Sequence, residues 1–205
     1  MADILRAALA LAVLVLAAPG AGAETFTPGT FQIFGGMEGS SDDVTAAQRV
    51  PGPVPENLRS RVIDFPSPLA EGSVLVRTWA RRLYFILPGG KAIEYHVGVG
   101  RDGFTWSGTD AISRKAEWPD WRPPPEMIAR ERRKGRDLPA FVPGGPGNPL
   151  GARALYIGDT AFRIHGTTEP WSIGQAVSSG CIRMFNAEVI DLYDRVALGA
   201  TVVVE

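Results

Sequence analysis

The sequence predicts a mainly β domain over the C-terminal two thirds of the chain. From Ser73 onward, short runs rich in β-branched and aromatic residues alternate with Gly- and Pro-containing turns, the pattern of half-buried strands. Helical periodicity is confined to two short segments, and the closing run Thr201–Val204 is typical of a buried strand. Five or more strands against two helices therefore predict a sheet-based fold.

The first 23 residues are typical of a secretory signal peptide. Arg6 precedes the apolar stretch 7–18, and Ala21-Gly22-Ala23 fits cleavage before Glu24. The apolar stretch is about 12 residues, shorter than the roughly 20 that span a bilayer. We therefore expect an exported protein of the periplasm or cell envelope, with no transmembrane segment after signal cleavage.

Residues 24–72 are interpreted as a linker or weakly ordered extension. They contain Gly35-Gly36, a Ser/Asp cluster at 40–43 and Pro51-Gly52-Pro53. Docking of this extension onto the following domain, 73–205, is the open alternative.

The predicted domain begins with a three-stranded meander over 74–79, 82–87 and 92–100, with a turn at Pro88-Gly89-Gly90. In the third strand the apolar odd-numbered residues share one face, which leaves Glu94 and His96 on the other. His96 is thus expected to be a solvated or edge residue.

A long excursion follows over 101–151, with one helix predicted over 125–134 between Pro125 and Gly135. Loops of this length inside a compact domain are usually functional. Trp118 and Trp121 would wall a substrate groove, or else simply cover one end of the sheet; both interpretations stay open. The basic residues of this helix are most simply a solvated face; they are Arg130, Arg132, Arg133 and Lys134.

The remaining elements are two paired strands, a helix and a last strand. Residues 154–157 and 161–164 read as strands joined across Gly158-Asp159. The helix is expected to begin with Asn186 as N-cap and to end near Gly199.

Charge and composition narrow the possible partners. The formal net charge is -1, from 21 basic and 22 acidic residues, so no bias toward nucleic acid is expected. Two histidines and one cysteine are too few for a zinc site independent of a catalytic pair, and we expect neither metal nor other cofactor. A monomer is expected.

His165 ends a short predicted strand, and Cys181, the single cysteine, precedes the predicted helix. Both therefore lie at element ends, where side chains can be directed into a cleft. An imidazole that takes the thiol proton makes cysteine a strong nucleophile, and we expect a thiol pKa below its ordinary value of about 8.5. Gly180 would allow neighbouring amides to converge on an oxyanion. The alternative is a buried, inert cysteine, but Cys181 lies among Ser179, Gly180 and Arg183, not in an apolar run.

These residues carry a family resemblance. His165-Gly166-Thr167, Ile173-Gly174 and Ser178-Ser179-Gly180-Cys181-Ile182-Arg183-Met184 resemble the signature of the L,D-transpeptidase catalytic (YkuD) domain. Upstream, the segments 95–100, 117–124 and 143–151 also resemble that family, so the resemblance covers roughly 73–205. One departure is Ser179, where many members carry a second histidine.

The resemblance implies a β-sandwich or barrel-like sheet and a peptidoglycan stem peptide as substrate. Cys181 would attack the third-residue carbonyl of a stem tetrapeptide, release D-alanine and pass the acyl group to an amine. His165 would act as base and then acid, oriented by the Gly166 carbonyl. The amides of Ser179, Gly180 and Cys181 would form the oxyanion hole.

The resemblance also suggests substrate contacts. The expected substrate-binding residues are Arg183, Trp118, Trp121 and Thr167. For Arg183 a structural ion pair is the equal alternative. An L,D-carboxypeptidase or other cell-wall cysteine peptidase, and a non-catalytic peptidoglycan-binding module, remain alternative functions.

Overall fold

The computed structural model describes residues 53–205, which form a sheet-based domain with two α-helices in that part of the chain. The predicted signal peptide and residues 24–52 of the predicted extension lie outside the described residues. The strands are β1 (Arg61–Asp64), β2 (Val74–Arg77), β3 (Arg82–Leu87), β4 (Lys91–His96), β5 (Val99–Gly100), β6 (Gly108–Glu117), β7 (Arg153–Ile157), β8 (Arg163–His165), β9 (Ala176–Ser178), β10 (Ile182–Arg183) and β11 (Thr201–Val204). The helices are α1 (Pro125–Arg132) and α2 (Asn186–Arg195).

Nine of these strands form one mixed sheet in the order β1-β4-β3-β2-β11-β6-β7-β8-β10, and β5 pairs with β9. The sheet ends at β1 and β10 and is therefore open, so the predicted mainly β class is confirmed but the barrel is not closed. The meander β2-β3-β4 is antiparallel, as predicted. The parallel pairs in the sheet are β11 with β2 and β10 with β8.

One apolar core joins both halves of the sheet. Val74, Tyr95 and Val202 from the first half lie in the same cluster as Ile164 from β8 and Leu192 from α2. These side chains are fully buried, and burial of a side chain of this size stabilises the fold by about 1.5–3 kcal/mol. The shared core fixes β8 and α2 against the meander.

The strand β6 was not predicted, because its residues Gly108–Glu117 are largely polar. It pairs with β11 on one side and β7 on the other, and its register shifts between Ile112 and Arg114. Such a bulge bends the strand. The Lys115 ammonium donates to the carbonyls of Tyr193 (2.5 Å) and Val196 (2.7 Å) at the C-terminus of α2. A positive charge is favourable at that end of a helix.

The linker interpretation is wrong for residues 53–72, which dock onto the domain. β1 pairs with β4, and Val54 packs with Ile173 and Phe185. The Leu58 carbonyl lies 3.2 Å from Nδ1 of His96, so His96 is a half-buried residue under this docked segment. The docking contacts come from isolated apolar residues such as Val54, which lies between two prolines. The local composition did not reveal these contacts.

The predicted cap of the last helix is also wrong. α2 begins at Asn186 with Phe185 in the N-cap position, and no side chain caps it. The Asn186 side chain instead forms hydrogen bonds with two loops beside the candidate site. No helix within residues 53–205 is both long enough and apolar enough to cross a membrane.

Candidate active site

The candidate site is built on the parallel pair β8 and β10. Their register places Ile182 opposite Ile164 and Arg183 opposite His165. Because Ile164 and Ile182 enter the core, the alternating positions, including His165 and Arg183, point to the other side of the sheet. Cys181 immediately precedes β10, so the strand pairing brings the two predicted reactive residues to one end of the sheet.

His165 is held as a neutral imidazole by burial, with the backbone carbonyls of Gly166 and Leu150 against its ring. Its ring is 4% exposed, and Nδ1 donates to the Gly166 carbonyl at 2.5 Å. That hydrogen bond assigns the ring proton to Nδ1 and leaves Nε2 as the basic nitrogen. Burial, reinforced by the positive charges of Arg183 and Arg163, lowers the pKa of His165 to about 3. The side chain is therefore an unprotonated base at neutral pH.

Cys181 is partly exposed, and its thiol lies 3.9 Å from the Ala161 carbonyl. Within residues 53–205 it makes no hydrogen bond to His165. Burial raises the pKa of the Cys181 thiol, and the opposing positive charge of Arg163 does not reverse this. The predicted low thiol pKa is therefore wrong: the pair rests as a neutral thiol and a neutral imidazole, influenced by the same two arginines.

The turn before Cys181 requires glycine at position 180. Gly180 has a φ of 113°, and a Cβ there would lie 2.4 Å from Cε1 of Phe162 and 2.6 Å from the Phe104 carbonyl oxygen. Its N–H donates to Oγ of Ser178 at 3.1 Å, and that hydroxyl donates to the Cys181 carbonyl at 2.7 Å. Ser178, which sequence reasoning did not single out, thus fixes the turn from a buried position.

This hydrogen bond corrects the predicted oxyanion hole. The Gly180 amide is occupied by Ser178, so it is not available as an oxyanion donor in this conformation. The amides of Ser179 and Cys181 make no hydrogen bond to any residue of 53–205. These two N–H groups remain the candidate donors.

Asn186 connects the loops on either side of His165. Its Oδ1 accepts from the amides of Ala152 (3.0 Å) and Thr167 (3.2 Å), and its Nδ2 donates to the Thr167 carbonyl (2.9 Å). A Cβ on Gly166 would lie 2.1 Å from the same Oδ1. Asn186 therefore sets the position of the Gly166 carbonyl that orients the imidazole. Thr167 is buried in this arrangement, so its predicted substrate contact has no exposed side chain to make it.

Arg183 forms the ion pair that was the alternative to substrate binding. Its Nη1 lies 2.6 Å from Oε2 of Glu169, and both side chains are largely buried. The Arg183 backbone pairs in both directions with Gly98. Nε of Arg183 and Oε1 of Glu169 are buried with no hydrogen-bond partner in residues 53–205. A substrate role for Arg183 stays a prediction.

The two predicted groove tryptophans differ in exposure. Trp121 is 8% exposed and its backbone pairs with Val142, so it packs inside the excursion. Trp118 is 41% exposed and has a φ of 41°, leaving its ring available to a ligand. The groove interpretation remains a prediction for Trp118, whereas burial favours the packing alternative for Trp121.

The sequence suggested that the basic residues of α1 form a solvated face, but Arg130 contacts the turn that carries Cys181. Nη2 of Arg130 donates to Oγ of Ser179 at 3.1 Å, two residues before Cys181. Neither this contact nor the role of Arg163 beside the thiol was predicted. The alternation of Arg163 and His165 along one strand was a usable signal, but the Arg130 contact crosses 49 residues of sequence.

In the described part of the chain, no group of three or more His, Cys, Asp or Glu side chains could hold a metal ion. The arrangement instead offers a thiol, a neutral base, two free amides and several guanidinium groups. These are the components of acyl transfer.

Comparison with known proteins identifies the family of this domain. A family model described as the L,D-transpeptidase catalytic domain, YkuD, matches residues 71–204. The chain is 39% identical over 134 residues to "Probable L,D-transpeptidase ErfK/SrfK" of Escherichia coli K12, covering 63% of this chain and 42% of that protein. It is 37% identical over 151 residues to "Probable L,D-transpeptidase YbiS" of the same strain, covering 71% and 48%. The chain thus spans about half the length of these curated relatives.

A solved structure supports the fold assignment. The L,D-transpeptidase from Mycobacterium smegmatis superposes with a TM-score of 0.51 at 20% identity, covering 64% of this chain and 57% of that one. At this identity the likeness concerns the fold.

Proposed function

This chain belongs to the L,D-transpeptidase catalytic (YkuD) domain family, and on that premise we propose that it is an exported L,D-transpeptidase of peptidoglycan. The donor is a stem tetrapeptide and the acceptor is the side-chain amine of a second stem, giving a 3-3 cross-link. The observation that carries the proposal is the Nδ1–H bond from His165 to Gly166, which leaves Nε2 as the unprotonated nitrogen, on the strand that pairs with the strand after Cys181.

In the acylation step, Nε2 of His165 removes the thiol proton as Sγ of Cys181 attacks the carbonyl carbon of the third stem residue. The carbonyl electrons move onto oxygen, and the amides of Ser179 and Cys181 donate to that oxyanion. Collapse breaks the bond to the D-alanine nitrogen, which takes the proton from His165 and leaves. The product is a thioester on Cys181.

In the second step, the acceptor amine attacks the thioester and gives a proton to His165. Collapse restores the thiolate, which recovers its proton from the imidazolium. Because the resting pair is neutral, the proton moves during attack and not beforehand. Burial keeps the histidine unprotonated before each attack, but a lowered pKa also makes it a weak proton acceptor. The imidazolium must therefore be stabilised as it forms, and the Gly166 carbonyl, which accepts from Nδ1, is placed to do this.

An L,D-carboxypeptidase, in which water replaces the amine, uses the same first step. The test is to incubate the purified protein with defined tetrapeptide and pentapeptide muropeptides and to identify the products by mass spectrometry. We expect D-alanine release and a cross-linked dimer from the tetrapeptide and little reaction with the pentapeptide. Monomeric tripeptide as the sole product would favour the carboxypeptidase.

Replacement of the nucleophile provides the control. Cys181→Ser and Cys181→Ala should each lose more than about a hundredfold in rate, which corresponds to about 3 kcal/mol of transition-state stabilisation. If a folded variant kept more than about a hundredth of the activity, the cysteine mechanism would be wrong, and a non-catalytic binding module would be favoured if the wild type were also inactive.

A further inference from the structure

Helix α1 brings an arginine to the turn that carries Cys181. Nη2 of Arg130 donates to the Ser179 hydroxyl at 3.1 Å, and the Arg130 guanidinium lies 5.3 Å from the centroid of the Phe104 ring. The carbonyl of Phe104 in turn lies against Gly180. Arg130 is thus seated over the residues whose free amides are the candidate oxyanion donors.

Arg130 shares its acidic neighbour, Glu131, with other cations. Glu131, which is 3% exposed, is bound by Arg136 and by Lys134 (3.2 Å), while Nε of Arg130 lies 3.4 Å from it. Because Glu131 also accepts from Arg136 and Lys134, it does not neutralise Arg130 alone. Nη1 of Arg130 has no acceptor among residues 53–205, and the side chain is 18% exposed.

Two other arginines, Arg183 and Arg163, supply the positive charges that act on the thiol and on His165. Arg183 is paired with Glu169 at 2.6 Å, so a substrate carboxylate would have to compete with that ion pair. Arg163 donates to the Ala161 carbonyl and lies 5.3 Å from the centroid of the Tyr156 ring. Of the three, Arg130 reaches the nucleophile turn from the excursion over 101–151.

We propose that Arg130 binds a carboxylate of the donor peptide and so selects the donor; this rests on the proposed function. A guanidinium with two adjacent N–H groups binds a carboxylate in a planar, bidentate fashion. Nη1 and Nη2 supply such a pair if Nη2 exchanges its hydroxyl acceptor for the ligand. The donor offers two sources, the C-terminal carboxylate of the leaving residue and the side-chain carboxylate of the diamino acid.

The first experiment does not depend on turnover. It compares alkylation of Cys181 by iodoacetate, an anion, with alkylation by neutral iodoacetamide in the wild type, Arg130→Gln and Arg132→Gln. Arg132 is the matched control because it lies on the same helix with its side chain 73% exposed, 3.5 Å from the exposed Asp137. Loss of the guanidinium that contacts Ser179, two residues before the thiol, should lower the iodoacetate-to-iodoacetamide rate ratio about three- to tenfold in Arg130→Gln. The control should change it less than about twofold.

The second experiment uses three tetrapeptide donors: the free acid, its C-terminal amide and the amide of the diamino acid side-chain carboxyl. Arg130→Gln should raise KM for the free acid about tenfold and should raise it much less for one of the two amides, which identifies the bound carboxylate. A merely structural role for Arg130 would lower activity on all three donors by the same factor. Arg130→Lys retains the charge and should keep most of the reagent preference, and it replaces the glutamine variant if that variant does not fold.

The inference is overturned by an unchanged reagent ratio in Arg130→Gln, or by an equal penalty on all three donors. Absence of D-alanine release by the wild type contradicts the proposed function instead. In that case the reagent ratio still reports whether Arg130 presents its charge to ligands at Cys181.

Discussion

The buried neutral imidazole of His165 should make the protein sensitive to acid. Its pKa is lowered from 6.5 to about 3 in the fold, chiefly by burial and then by Arg183 and Arg163. Between these values the unfolded chain binds a proton that the folded protein does not, so stability rises with pH across this window. The neutral imidazole therefore costs the fold no stability above pH 6.5, and the free energy of unfolding falls as the pH drops from 6.5 toward 3.

The magnitude follows from the shift. At pH 4, about 2.5 pH units below the ordinary histidine pKa of 6.5, protonation stabilises the unfolded state by at most about 3.4 kcal/mol, which the folded protein does not gain. That is a large share of the 5–15 kcal/mol that stabilises an ordinary domain. Carboxylates with a lowered pKa, such as those of Glu131 and Asp191, add to the acid lability of any variant.

The assay is urea unfolding of wild type and His165→Asn at pH 7 and pH 4. Both proteins share the carboxylate contribution, so the difference between their losses on acidification isolates His165. We expect wild type to lose about 2–3 kcal/mol more than His165→Asn. His96→Asn serves as the control, because the pKa of His96 is also lowered by burial but its half-buried ring should give a smaller effect. Equal losses in wild type and His165→Asn would refute the buried neutral imidazole.

Two further predictions concern the thiol and the loops around it. The pH dependence of Cys181 alkylation by iodoacetamide should inflect above the ordinary thiol pKa of about 8.5, because burial raises that pKa. Arg163→Gln should raise the inflection further, because it removes a nearby positive charge. An inflection below about pH 8 in the wild type would contradict this. Asn186→Ala should destabilise the fold by about 2–4 kcal/mol in urea, because it removes three hydrogen bonds and strands two amides. It should also slow D-alanine release, whereas unchanged rates would separate Asn186 from the positioning of His165.

The parts of the fold that follow local pattern were predictable from sequence. The meander β2-β3-β4 and the last strand β11 alternate apolar and polar residues or run apolar, and they lie close to where the pattern places them. The exception is the predicted third strand over 92–100, which divides into β4 and the separately paired β5. The strand β6 has a polar sequence because much of it faces solvent, and its pairing with β7 and β11 is decided by those partners. Tertiary pairing therefore overrides local composition there.

The identities of the candidate reactive residues were also predictable, but their electrostatic state was not. Asn186 has the sequence preference of an N-cap, yet its hydrogen bonds cross 34 and 19 residues of sequence. The pKa of Cys181 depends on desolvation in the fold and on the charges of Arg163 and Arg183, which the presence of a cysteine and a histidine in the sequence does not reveal. Both features arise from packing between segments far apart in the chain.

The central claim is that Cys181 carries the acyl group during transfer. The most direct measurement is the intact mass of the protein after incubation with a tetrapeptide donor and no acceptor, followed by peptide mapping. We predict a mass increase equal to the donor minus D-alanine, located on Cys181, removed by neutral hydroxylamine and absent in Cys181→Ser. Release of D-alanine with no adduct on Cys181 in rapidly quenched samples, or an adduct on another residue, would contradict the account.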